Sequence, residues 1–194
     1  MNKVPIQIMD LTTIKAVVFE LSQEIVPSRF ENAQQVDSHT LQLGFRTLEK
    51  LTWIEISWLA ESPRIVQIPP PKRYGEKSTL AKQLKHLLVN LALVKIEQTG
   101  FERIVKFKFS SRPGKEIEKE VVVELMGRHS NILLLDRTSK VITLGKQIKH
   151  LLVNLALVDI TQIGFERIVR FKFSSRPGKE IEKELIVELM GRHS

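Results

Sequence analysis

Apolar positions along the chain switch between a helical period and a strand period several times, and these switches divide it into elements. Asp10 precedes Leu11, Ile14, Val18, Leu21 and Ile25, a three-to-four spacing that puts one apolar stripe on a helix capped by the aspartate. Pro27 is the expected stop. A run of strands is expected to follow. Leu41, Leu43 and Phe45 alternate with polar neighbours, as a half-buried strand requires. Residues 53–59 are aromatic and β-branched, and residues 64–68 read as a further strand before Pro69-Pro70-Pro71 interrupts any ladder. Ser78 or Thr79 then opens a second amphipathic stretch carrying Leu80, Leu84, Leu87, Leu88 and Leu91.

Three strands follow in quick succession: Val94 to Thr99, Arg103 to Ser110 and Glu118 to Met126. In the middle one Val105, Phe107 and Phe109 point to a core, while Lys106 and Lys108 point away. Gly100 breaks the first pair, and Ser111-Arg112-Pro113-Gly114 turns the second. Residues 131–136 add another strand. The expected class is α+β, with antiparallel sheets and about three helices.

This helix–strand–strand–strand pattern occurs twice. Residues 82–130 align without a gap to 146–194 at an offset of 64, and only seven of the 49 positions differ. Thr79-Leu80 and Thr143-Leu144 extend the match, so the first copy is taken as 79–130. Leu84→Ile148, Lys106→Arg170, Val121→Leu185 and Val122→Ile186 are conservative. Lys95→Asp159, Glu97→Thr161 and Thr99→Ile163 are not, and at i, i+2 and i+4 of a strand they share one face. That face reads as adapted to a new neighbour, with Ile163 becoming partly buried. Two origins fit such similarity, a recent duplication and deliberate construction. The second copy, 142–194, is expected to pack on the first domain, 1–141, or to be swapped into it. Its last strand, 182–190, nearly repeats 118–126, so both could claim 131–136, with strand exchange and a homodimer as consequences.

Charge sharpens the picture. The formal net charge is +8; residues 82–130 hold ten basic and six acidic groups (+4), residues 146–194 nine and six (+3), and the remainder eleven and ten (+1). The positive surplus therefore belongs to the repeated unit, where it fits two readings from charge alone: a site for a polyanion such as RNA or DNA, and a solvated basic surface that only keeps the protein soluble. A cysteine count of zero excludes disulfides and thiolate metal sites, and the five histidines have no metal-ligand spacing. No phosphate loop or nucleophile elbow is present, no apolar run is long enough for a membrane span, and no signal peptide is evident. The expectation is a cytoplasmic protein without cofactor, metal site, catalytic residue or membrane partner.

Glu124-Leu125-Met126-Gly127-Arg128-His129-Ser130-Asn131, followed by an apolar strand and Asp136, resembles the E-x-M-G-R-H-S-N signature of NFACT amino-terminal domains. Gly100-Phe101-Glu102-Arg103 is similar to that family's G-x-D/E-R motif, with Glu in place of Asp. These are the domains of ribosome quality-control factors, some known as fibronectin-binding protein A. The resemblance implies a sandwich-like sheet fold akin to the amino-terminal domain of formamidopyrimidine-DNA glycosylases. The amino-terminal proline nucleophile of those enzymes is not matched, since the chain begins Met1-Asn2-Lys3 and Pro5 is internal. It also implies recognition of tRNA, rRNA or the large ribosomal subunit, with tail synthesis beyond this chain alone.

Carried over, the tRNA-contacting pair is Glu102 and Arg103, repeated at Glu166 and Arg167. Lys106, Lys108 and Arg128, with Arg170, Lys172 and Arg192, complete the candidate RNA-binding set. A segment-duplicated or engineered chain with no selected activity is the alternative. Around Gly127 the plain reading is a strand-connecting turn.

Overall fold

A computed structural model describes residues 9–72, 78–127, 130–142, 152–162, 164 and 168–188. The chain divides into two compact units, 1–143 and 144–194. The first contains helices α1 (Leu11–Ile25) and α2 (Thr79–Leu88) and strands β1 (Ser28–Asp37), β2 (Thr40–Arg46), β3 (Leu51–Ser57), β4 (Arg64–Ile68), β5 (Ala92–Gln98), β6 (Ile104–Ser110), β7 (Lys119–Glu124) and β8 (Asn131–Asp136). The second contains β9 (Ala156–Gln162), β10 (Ile168–Ser174) and β11 (Lys183–Glu188). The class is α+β, with an eight-stranded and a three-stranded antiparallel sheet. The third helix expected from the sequence falls on residues 143–151, outside the described residues.

Both helices begin as their sequences dictate. The Asp10 carboxylate accepts the Thr13 amide at 2.7 Å, and the Ser78 hydroxyl accepts the Ala81 amide at 3.3 Å. Ile14, Leu21 and Ile25 form the buried stripe of α1, while Leu80, Ala81, Leu84 and Leu88 form that of α2. α2 stops three residues before Leu91, because Asn90 adopts φ 68° and redirects the chain into β5.

Strand order in the large sheet is β4-β3-β2-β1-β5-β6-β7-β8. Its centre is narrow: β1 and β5 pair only at Ser28–Leu93 and Arg29–Ala92. In a flat sheet Phe45 on β2 and Phe109 on β6 would lie about 14 Å apart, three strand spacings. Their rings instead stack with centroids 6.3 Å apart, and Phe30 meets both edge-on at 6.1 and 6.4 Å. The sheet therefore folds over at the β1–β5 seam, and its halves β1–β4 and β5–β8 face one another as a sandwich. Leu41, Leu43, Phe45, Ile54 and Ile56 from one half meet Val105, Phe107, Phe109, Val121 and Val123 from the other in one core, all of them fully buried. α1 touches β4 and β5, one strand from each half.

β1 was invisible to alternation because Ser-Arg-Phe-Glu-Asn-Ala-Gln-Gln-Val-Asp is largely polar. Its outward side joins a polar ladder instead. Gln34 donates to Gln42 at 2.8 Å, Gln42 to Glu55 at 3.0 Å, and Arg64 closes the row on Glu55 at 2.7 Å. Hydrogen bonds hold that row, with the Trp53 ring buried beside it over Gly44.

The second unit repeats the β5–β6–β7 pairing of the first in the same register. Ala92–Ser110, Leu93–Phe109, Lys95–Lys108 and Ile96–Phe107 pair across β5 and β6, and Ala156–Ser174, Leu157–Phe173, Asp159–Lys172 and Ile160–Phe171 pair across β9 and β10. Even the bulge between Leu93 and Lys95 returns between Leu157 and Asp159. β8 is paired along its whole length with β7, from Lys119–Asp136 to Glu124–Asn131, whereas β9, β10 and β11 form a sheet of their own.

Candidate nucleic-acid interface

The G-x-D/E-R motif forms the tip of the β5–β6 hairpin. Gly100 takes φ 53°, a conformation that favours glycine, and the Thr99 amide donates to the Ile104 carbonyl at 3.1 Å. The Gln98 side chain reaches across the tip to the Glu102 carbonyl at 2.8 Å. This locks the turn and leaves Phe101 87% exposed. Lys15 of α1 places its ammonium 5.2 Å from the centre of the Phe101 ring, a cation–π contact that ties the hairpin tip to the first turns of the helix.

Glu102 and Arg103 face different neighbours. The charge of Arg103 reaches Asp10, whose carboxyl is held below its ordinary range chiefly by the Thr13 amide and additionally by that guanidinium. Glu102 instead faces Glu124; burial first, and the Glu102 charge second, push the Glu124 carboxyl up. The backbone ties the two motifs together, since the Leu125 amide donates to the Arg103 carbonyl at 2.9 Å. The end of the β7 strand, where the E-x-M-G-R-H-S-N run begins, thus sits against the hairpin carrying the candidate pair. Gly127 at φ 57° and a Ser130 amide to Gly127 carbonyl bond of 3.0 Å make the turn into β8. Arg128 lies outside the described residues, as do Glu166, Arg167 and Arg192.

Lys106 and Lys108 project from the outer face of β6 as alternation required, yet their surroundings differ. The Lys108 ammonium lies 2.5 Å from Glu97 and 3.7 Å from Glu120, with only 20% of its side chain exposed. The hydrogen bond that it donates to Glu97 pushes its pKa up. Burial would raise the Glu97 carboxyl, but hydrogen bonds from Lys108 and Lys95 outweigh it and hold that group low. Lys108 is therefore neutralised within its own sheet. Lys106 lies between Glu97 and Val122 in the register, and among the described residues no ion pair engages it.

The second copy moves the acid. Asp159, which replaces Lys95, pairs with Lys172 at 2.9 Å, and Thr161, which replaces Glu97, donates to the same carboxylate at 2.8 Å. Arg170 turns to Glu184 at 3.6 Å. The central lysine keeps an acidic partner in both copies, supplied in the second from a position two residues earlier in the strand. Lys95→Asp159 and Glu97→Thr161 thus compensate one another, a relation that the sequence differences alone did not expose. Ile163, the third change, lies outside the described residues.

Hairpin tip, turn and repeated register carry the two motifs on one fold. The model of the family described as "NFACT N-terminal and middle domains" matches residues 10–152 and, a second time, residues 146–194. The chain belongs to this family. It is 30% identical over 135 residues to the Rqc2 homolog RqcH of Bacillus subtilis (68% of this chain, 23% of that protein). It is also 30% identical over 137 residues to the Rqc2 homolog RqcH of Streptococcus pneumoniae (69% and 24%). The chain spans about a quarter of the length of these relatives.

Two solved structures share the fold. The N-terminal domain of the fibronectin-binding protein PavA from Streptococcus pneumoniae aligns at TM-score 0.62 and 24% identity, over 81% of this chain and 57% of that one. The N-terminal part of the fibronectin/fibrinogen-binding protein from Streptococcus suis aligns at TM-score 0.63 and 22% identity, over 69% and 52%. Among the described residues no NFACT-fold helix is long and apolar enough to cross a membrane, and no three His, Cys, Asp or Glu side chains gather as a metal site.

Proposed function

We propose that this NFACT chain is a non-enzymatic RNA-binding module of the cytosol. Its partners on this reading are tRNA and the large ribosomal subunit, in ribosome-associated quality control. The observation that carries the reading is the hairpin tip: an exposed aromatic ring, Phe101, flanked by the cations Lys15 and Arg103 on a hydrogen-bonded turn. Single-stranded or looped RNA is recognised by this combination, with an unstacked base against the ring and cations toward the phosphates. The like charges of Glu102 and Glu124, close enough to act on one another, disfavour a phosphate beside them. Lys106, on the outer face of β6 and without an ion pair among the described residues, adds a further cation, whereas Lys108 contributes structure.

Anisotropy titrations of labelled tRNA at several salt concentrations test this. Affinity should fall steeply with salt. Phe101→Ala should weaken binding by about 1–3 kcal/mol, and Arg103→Ala should weaken it while lowering the salt slope by about one. Lys108→Ala should leave affinity near that of the parent. Equal affinities for the parent, the Phe101 variant and the Arg103 variant would overturn the assignment.

A further inference from the structure

A cavity of about 310 Å³ lies in the other half of the sandwich, on the outer face of β1, β2 and β3, bordered by Pro71 and by Lys85 of α2. That volume is near the lower end for small-molecule sites. One wall follows from the sequence of β2. A Cβ on Gly44 would stand 3.1 Å from the Trp53 ring, so the glycine lets that indole lie close against the sheet. Trp53 points away from the sandwich core, because Ile54 and Ile56 take the inner side, yet it is only 8% exposed. Its indole N–H has no hydrogen-bond partner among the described residues, although so buried a tryptophan usually finds one.

Charge and hydrogen bonding on this face are unevenly used. The carboxylates are engaged: Glu31, which borders the cavity, holds Arg29 at 3.0 Å, and Glu55 holds Arg64 at 2.7 Å. Two cations that line the cavity are not. Arg46 stands opposite Arg29 in the β1–β2 register, and neither Arg46 nor Lys85 forms an ion pair or side-chain hydrogen bond among the described residues. Asn32 accepts the Ala33 amide through Oδ1 at 3.0 Å, and Gln34 donates through Nε2 to Gln42 and to the Lys72 carbonyl. The Asn32 Nδ2 donor and the Gln34 Oε1 acceptor are left over, two residues apart on one face of β1.

Uncommitted cations suit a phosphate, and an amide donor beside an amide acceptor suits the edge of a purine base. An aromatic wall suits the ring itself. We propose that this cavity binds a single purine nucleotide unit, with its phosphate on Arg46 and Lys85 and its base beside Trp53, Asn32 and Gln34. The site is built by β1–β3 and α2, and it does not depend on the hairpin tip of β5 and β6.

Isothermal titration calorimetry of the full chain with AMP, GMP, adenosine and ribose 5-phosphate tests this. At least one of the two nucleotides should bind with a dissociation constant below about 1 mM. Adenosine and ribose 5-phosphate, each lacking half of the recognised groups, should bind at least about tenfold more weakly. Arg46→Ala and Lys85→Ala, at exposed positions, should each weaken the nucleotide by about tenfold. Lys82→Ala, an exposed lysine of the same helix outside the cavity, should leave affinity unchanged. Phe101→Ala should also leave it unchanged, so a failure here and a failure at the hairpin tip are separate results. Competition with tRNA identifies the source: displacement of the mononucleotide means that the unit belongs to RNA, and binding of both together means that it is free. Absence of binding by both nucleotides overturns the proposal. Ribose 5-phosphate binding as tightly as AMP and GMP overturns it as well, as does a nucleotide indifferent to Arg46→Ala and Lys85→Ala.

Discussion

Glu124 shows how one carboxyl can oppose folding near neutral pH. Burial, with the Glu102 charge behind it, raises its pKa above the ordinary 4.5. The folded chain therefore holds that proton more tightly than the unfolded one, and stability from this group declines as pH rises from about 4.5 through the raised value. Glu124→Gln should accordingly stabilise the fold at pH 7, by about 1 kcal/mol or less because the side chain is half exposed, and the gain should vanish below pH 4. Urea melts at the two pH values measure it. Glu97 behaves oppositely: its lowered carboxyl contributes stability above 4.5 that is lost as pH falls through its depressed value. The sequence places Glu102 beside Arg103. The Glu102 charge acts on Glu124 and the Arg103 charge on Asp10, which adjacency in sequence cannot reveal.

At the scale of elements, the two copies differ in how one hairpin neutralises its central lysine. Lys108 uses Glu97 on β5, and Lys172 uses Asp159 on β9. Asp159→Lys should therefore lower the thermal midpoint of the second unit, because it removes the partner and adds a like charge. Asp159→Lys with Thr161→Glu should restore it by rebuilding the arrangement of the first copy. Calorimetry of both variants would show the non-additivity; additive changes would mean that the two substitutions are independent. Helices α1 and α2 and strands β2 to β8 were legible because apolar period and turn residues agreed there. β1 was not, because its sides are satisfied by the core at Phe30 and Ala33 and by glutamines elsewhere.

For the whole molecule, the same sequence block experiences two environments. In the first unit it forms half of a sandwich; in the second its apolar residues are partly or largely exposed, Leu157 at 47% and Ile160 at 56%. Phe107→Ala should cost about 3–5 kcal/mol, as for a buried aromatic. Phe171→Ala should cost markedly less in dilute solution, since its ring is already partly exposed. Amides of β10 should also exchange faster than those of β6, because three strands without a covering layer are marginal. Equal protection of the two strands at low concentration would contradict this account.

By itself the sequence determined what is local or periodic: the helix caps, the alternation along β6, the turns at Gly100 and Gly114, the duplication, and the motifs that mark an NFACT domain. Identical blocks then took up identical registers, because hairpin pairing depends on turn geometry and side-chain alternation within the block. Tertiary structure alone decided that the eight-stranded sheet folds at its two-pair seam, that Lys108 is neutralised, and that one copy of the block is buried while the other is open. Those outcomes depend on which surface lies opposite each block, and the period of side chains within a block carries no record of that surface.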